Sequence, residues 1–347
     1  MKIITKTFAA IAMTASCLAS AEQTEFKLAW SHYTGWEPWA FAAETGIVDK
    51  WAEKYGIDIE VTLVNDYIES INLYTAGEFD AVTATNMDAL TIPAVGGIDT
   101  TALIVGDYSN GNDGIVAKNA ESLEDLKGRE VRLVELSVSH YMLARALDMK
   151  GMSERDLTVV NQSDADIAAV FLSDDNGAVV TWNPPLQQVR NGAGAELLFD
   201  SSQIAGEIVD ITFVRTDVDE RFKKALAGAW YETMAIISSP GKASKEAIAY
   251  MAEQSGATVA EFKAQLKTTA MFYQPAEAAA FTADAKLADT MDMVRKFSFD
   301  KGLFGMSADS PDFVGIEMSD GSVLGSSQNV KLRFTADYMK AAAEGNL

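Results

Sequence analysis

FKLAWSHYTGWEPWAFAAETGIVDKWAEKYGIDIEVTLV, residues 26–64, reads as strand, helix, strand. Phe26-Lys27-Leu28-Ala29-Trp30 is an apolar run of strand length. Residues 39–55 form a helical stretch that stops at Gly56, and 57–64 alternates apolar and polar residues. Two strands joined through one helix lie parallel in a sheet, because a parallel pair needs a crossover of that length. The pattern continues outward with a helix over 70–76 before Gly77 and strands over 79–83 and 101–106. This is the beginning of a parallel α/β unit.

A second, smaller unit follows. A short helix over 122–128 precedes a strand over 130–136 and a helix over 138–150 ended by Gly151. A helix over 164–172, a strand over 178–182, a helix over 184–192 and a strand over 208–214 complete it. From Asp217 onward the chain reads as alanine-rich helices with no sheet of their own. Those helices have apolar faces to bury, and the nearest partner is the first unit. The predicted architecture is therefore α/β and two-lobed. Lobe one takes 22–110 and 213–347, and lobe two takes 111–212. Two crossings near Asn110 and Phe213 make a hinge. Ligands of open α/β sheets sit beyond the strand C-termini, so two such edges facing across a hinge form a closing cleft.

The first residues read as a signal peptide over 1–21. Lys2 and Lys6 are followed by an apolar run over 8–18 and by Ala19-Ser20-Ala21, a small-x-small cleavage pattern. The run is too short to span a bilayer as a helix. Cys17 is the single cysteine and lies inside this segment. Lipidation there is the alternative, but Thr14-Ala15-Ser16 lacks the leucine usual three positions before a lipidated cysteine. The expectation is an exported, periplasmic, monomeric protein with no disulfide, thiolate metal site or cysteine nucleophile. With 28 Lys+Arg against 50 Asp+Glu, the net charge of −22 repels nucleic acid and anionic membranes.

Several segments carry a family resemblance. Trp36-Glu37-Pro38-Trp39, Gly77-Glu78-Phe79-Asp80-Ala81, Asn86-Met87-Asp88, residues 122–128 and Ala178-Val179-Val180-Thr181-Trp182 occur in that order. Together they resemble the periplasmic binding proteins of nitrate/sulfonate/taurine-type ABC importers. Residues 30–39 and Thr181-Trp182-Asn183-Pro184-Pro185 look most similar to a branch encoded beside urea carboxylases, many of which are thought to act on guanidine. The resemblance implies a type II periplasmic binding protein fold. It also implies capture of a small molecule, guanidinium or urea, for an ABC permease, with no cofactor and no catalysis.

The predicted cleft loops are 31–39, 85–88, 107–113, 135–141 and 181–185. They contain no Lys or Arg but carry Glu37, Asp88, Asp107, Asp113 and Glu135, with the aromatics Tyr33, Trp36, Trp39, Tyr108, Tyr141 and Trp182. A nitrate or sulfonate site would want Arg, Lys or a nest of backbone donors. Carboxylates beside aromatic faces suit a cation. Guanidinium is planar, cationic and donor-only, so one carboxylate can take two parallel N–H bonds from it. Urea is neutral and needs a donor, for which Asn183, Ser137 or Thr85 would serve. The candidate ligand residues are Trp36, Glu37, Asp88, Asp107, Glu135, Trp182, Asn183 and Asp210.

Several residues of these loops have a plainer reading, whereas for Glu135, an acid ending an apolar strand, the functional reading leads. Trp39 reads as core. Glu37 and Asp88 suit helix N-termini, and Asp107 and Asp210 suit loop bracing. His32 and His140, the only histidines, read as ordinary loop or helix residues rather than metal ligands. Gly-x-Ser-x-Gly, His-Glu-x-x-His and phosphate-loop motifs are absent. An exported enzyme is the alternative class, with a urea, taurine or nitrate binder as the alternative ligand assignment.

Overall fold

The structure is a computed structural model that describes residues 23–347. The signal-peptide and lipidation expectations therefore lie outside the described residues. Thirteen strands form two sheets among the described residues. In chain order they are β1 Glu25–Trp30, β2 Asp58–Leu63, β3 Ala81–Thr85, β4 Thr100–Tyr108, β5 Asp113–Lys118, β6 Glu130–Leu133, β7 Thr158–Asn161, β8 Ala178–Trp182, β9 Ala195–Asp200, β10 Val209–Arg215, β11 Gly315–Glu317, β12 Val323–Gly325 and β13 Val330–Phe334. The larger sheet runs β12-β11-β13-β4-β10-β3-β1-β2 and the smaller β7-β6-β8-β5-β9.

The opening stretch does what its pattern dictates. β1 pairs parallel with β2, Phe26 opposite Ile59 and Leu28 opposite Val61. The expected single helix over 39–55 is two, Pro38–Glu44 and Ile47–Tyr55. The break falls at Gly46, whose φ of 72° is left-handed and open to glycine at little cost. β3 and β8 are buried along their whole length, as strands covered on both faces must be.

The C-terminal helices pack on the first lobe. Helix Glu220–Ser238 sets Trp230 against Trp39 with ring centroids 5.2 Å apart, and Phe222 stacks on Phe26 at 4.7 Å. Complete burial of a side chain such as Phe222 contributes about 1.5–3 kcal/mol.

Two expectations are corrected. The C-terminal segment is not purely helical: β11, β12 and β13 extend the large sheet, with β13 parallel to β4. These strands have three to five residues, too few to show a period locally, and they exist because β4 offers an open edge. β10 lies whole in the large sheet, antiparallel to both β3 and β4, so the chain returns to lobe one before Val209 rather than at 213. The two crossings run side by side. Ser109 N–H donates to the Ile208 carbonyl at 3.0 Å, and Gly111 N–H donates to Ser201 Oγ at 2.8 Å.

Candidate functional site: buried carboxyls between two lobes

β1, β3 and β4 all end at one edge of the large sheet, and β10 begins there because it runs antiparallel to its neighbours. That edge faces the start of β5, the end of β8 and the N-terminus of helix Val138–Met149 in the second lobe. Between them lies a narrow cavity of about 10 Å³. Tyr33, Trp36, Tyr67, Thr85 and Asp210 wall it from the first lobe, and Asp113, Val138 and Trp182 from the second. The lining contains no lysine, arginine or histidine.

Asp107 and Asp210 are direct partners across the antiparallel β4–β10 pair. Both are buried, at 0% and 2% exposure. Asp210 lines the cavity and Asp107 stands behind it. Tyr33 hydroxyl donates to Asp107 Oδ1 at 3.0 Å, but no protein donor reaches Oδ2 of Asp107 or of Asp210. Two carboxyls this close share a proton more readily than they both ionise. Burial drives both upward from the usual carboxylate range. Asp107 and Asp113 push Asp210 further, while the bond from Tyr33 partly relieves Asp107.

The third member is Asp113, 2% exposed and opposite Trp182 in the β5–β8 register. Burial raises it to about 7, although Ser109 Oγ donates to it at 2.5 Å. Gly35 makes the arrangement sterically possible. A Cβ on residue 35 would sit 2.3 Å from Asp107 Oδ2.

Aromatic rings close the sides. Trp36 stacks on Tyr67 at 5.6 Å and touches Tyr33 at 4.9 Å, and its Nε1 is buried without a partner. Trp182 meets Tyr67 edge-on at 5.3 Å, and its indole N–H donates to the His32 carbonyl across the cleft at 3.2 Å.

The remaining candidates fall elsewhere. Asp88 is near the cavity but not in its wall. It accepts from Tyr67 hydroxyl at 2.6 Å, Thr85 Oγ1 at 3.0 Å and Val138 N–H at 3.1 Å, so it fastens the first lobe to a helix N-terminus of the second. Burial lifts it to about 6 against those three bonds. Glu37 sits at the N-cap of helix Pro38–Glu44 without capping it. Its Oε1 instead pairs with His32 Nδ1 at 2.7 Å and its Oε2 is buried without a partner. Burial opposes a charge on His32, but Glu37 outweighs it and holds His32 above its ordinary value. Asn183 bonds through its amide to Asn112 Oδ1 and lines a separate polar recess.

Glu135 is the clear correction. β6 ends at Leu133, and Glu135 is exposed in a turn where Leu136 has a φ of 63°. Its backbone N–H donates to Asn161 Oδ1 at 3.0 Å, and its side chain has no place in the cavity wall. Tyr141 also faces away and donates to Glu207 at 2.8 Å. Tyr67 was missed. It is the first residue of helix Tyr67–Ala76, which starts three residues before the expected 70, and its place directly after a strand-to-helix loop was the available signal.

A larger surface groove of about 700 Å³ opens beside Tyr108, Phe281 and Leu287. Of its acids, Glu207, Asp284 and Asp289, the first is already paired bidentately with Arg145.

Eight strands and five, joined by paired crossings around an inter-lobe cavity, have counterparts among solved structures. The alkanesulfonate-binding protein SsuA from Xanthomonas axonopodis pv. citri bound to MOPS matches with a TM-score of 0.66 at 17% identity, over 83% of this chain and 96% of that one. The fold is that of the periplasmic binding proteins. The periplasmic nitrate-binding protein NrtA from Synechocystis PCC 6803 agrees, with a TM-score of 0.57 at 15% identity over 94% and 99% of the two chains. Residues 50–217 match the family model described as NMT1/THI5 like. The taurine-binding periplasmic protein of Escherichia coli (strain K12) is 30% identical over 123 residues, 34% of this chain and 38% of that one. Relatives from Brucella abortus, named for binding with no ligand given, are 26% identical over 159 residues, 46% of this chain. The chain spans about half the length of these curated relatives, 47%.

Proposed function

We propose that this chain captures a small planar cation, guanidinium, between its two lobes and presents it to an ABC permease in the periplasm. One observation carries the reading: three buried carboxyls, Asp107, Asp113 and Asp210, stand at an inter-lobe cavity whose lining holds no base. An unpaired buried carboxylate costs several kcal/mol, and a cation between them removes that cost. Guanidinium brings the charge together with donors that can fork onto a carboxylate. Trp36, Tyr67 and Trp182 line the cavity, and a flat cation laid over the face of one of these rings would gain about 2 kcal/mol or more when desolvated.

At about 10 Å³ the cavity is far smaller than the roughly 300–1,000 Å³ typical of drug-sized ligands, so only a ligand of a few heavy atoms suits it, and the lobes must part to admit one. Likeness to sulfonate, nitrate and taurine binders supplies the scaffold and the role. An anion in this cavity would face acids without a basic partner. Urea, the neutral alternative, would leave the acids to be neutralised by protons alone.

The test is a thermal-shift panel on refolded, ligand-free protein. Millimolar guanidinium is expected to raise Tm by several degrees, with urea, taurine and nitrate giving little change. A larger shift with taurine or nitrate overturns the cation reading. Turnover of any of these compounds would instead favour an exported enzyme.

A further inference from the structure

We infer that capture of a monocation expels one proton from the Asp107–Asp210–Asp113 cluster, so that binding is an exchange of cation for proton. This rests on the cation reading above and goes beyond it. The geometry is specific. Asp107 and Asp210 oppose one another across two antiparallel strands, both buried, each with an Oδ2 that no protein donor reaches. Like charges in such register repel, and a proton held between the two carboxyls is the available relief. Asp113 adds a third acid from the facing lobe.

The surroundings offer no substitute for that proton. Tyr33 faces the pair from the loop after β1, and Tyr273 lies within electrostatic reach of Asp107. Asp88, beyond β3, acts on Asp113 and raises it. Asn112 and Ser109, from the first crossing, are neutral. None of the groups acting on Asp107 or Asp113 is a base. Burial raises all three acids, so a proton remains in the cluster near neutral pH. A cation arriving between Asp210 and Asp113 stabilises their ionised forms. The proton leaves for bulk buffer as the cation enters, and the net charge of the cavity stays the same. With one proton displaced, apparent affinity rises about tenfold per pH unit until the free site has lost that proton.

Calorimetric titration of refolded protein with guanidinium chloride in phosphate and in Tris, buffers with different ionisation enthalpies, counts the protons. Release of about one proton at pH 7, with a gain in affinity of about tenfold from pH 6 to 7, is expected. D210N, whose amide can donate to Asp107, is expected to lower the proton count and flatten the pH dependence. Guanidinium binding with identical heats in both buffers and a flat affinity from pH 6 to 8 overturns the exchange while leaving the ligand reading intact. Absence of guanidinium binding at every pH overturns the ligand reading, and the exchange falls with it.

Discussion

Asp113 and Glu135 show what burial does to an acid. Asp113 lies in the cavity wall, nearly inaccessible, with one hydroxyl donor and no base, whereas Glu135 projects into solvent from a turn. Removing one partner of a buried charge pair costs about 3–5 kcal/mol. Asp113→Asn is therefore expected to weaken guanidinium binding by about a hundredfold or more, and Glu135→Gln to leave it within about twofold. Titration of the two variants side by side checks this, and a large loss in Glu135→Gln alone would place the site elsewhere. Trp182 contributes both a wall and a cross-lobe hydrogen bond. Trp182→Ala is expected to reduce affinity by roughly thirtyfold, equivalent to about 2 kcal/mol. Near-normal binding in that variant would make Trp182 a packing residue only.

The element that links the lobes most directly is helix Val138–Met149, whose first N–H meets the Asp88 carboxyl. A helix N-terminus carries partial positive charge and free donors, so a carboxylate there is favourable. Asp88→Asn removes the carboxylate charge without changing shape. It is expected to weaken ligand binding by about tenfold, with protein fluorescence titration as the readout and unchanged affinity as the opposing result. Legibility in the sequence also varied by element. β8 is readable because continuous burial gives a nearly continuous apolar run, whereas β3, Ala81-Val82-Thr83-Ala84-Thr85, lies two residues later than its expected 79–83. β5 is not readable, because it opens with Asp113-Gly114, a pair that reads as a turn. The acids at 107 and 210 were visible as candidates, but their pairing depends on strand register, which no local pattern encodes. Glu135 was misplaced because the apolar run continues through Val134, one residue past the end of β6. Tyr67 is not legible as a wall residue because the sequence pattern starts its helix at 70, three residues after the observed start.

At the scale of the whole molecule, closure and protonation are one question. Trp182 to His32, Asp88 to Val138, and the Tyr141 and Arg145 contacts with Phe297 all cross between the lobes. They bury acids whose folded-state values are raised, Asp88 to about 6 and Asp113 to about 7. An unfolded chain loses those protons near pH 4. Between pH 4 and 7 the folded form binds more protons than the unfolded, so this contribution to stability falls as pH rises. A bound cation reverses the penalty. The Tm gain from a fixed millimolar concentration of guanidinium is thus expected to grow from pH 5 to 8, as scanning calorimetry would show, and a gain that shrinks over that range would oppose the account.

On the cation reading, this cleft selects a cation on a scaffold shared with anion binders. Isothermal titration of refolded, ligand-free wild-type protein at pH 8 against guanidinium, urea and taurine tests it most directly. Saturable one-to-one binding of guanidinium, at least a hundredfold tighter than either competitor, is expected. Tighter binding of taurine or urea than of guanidinium would contradict it.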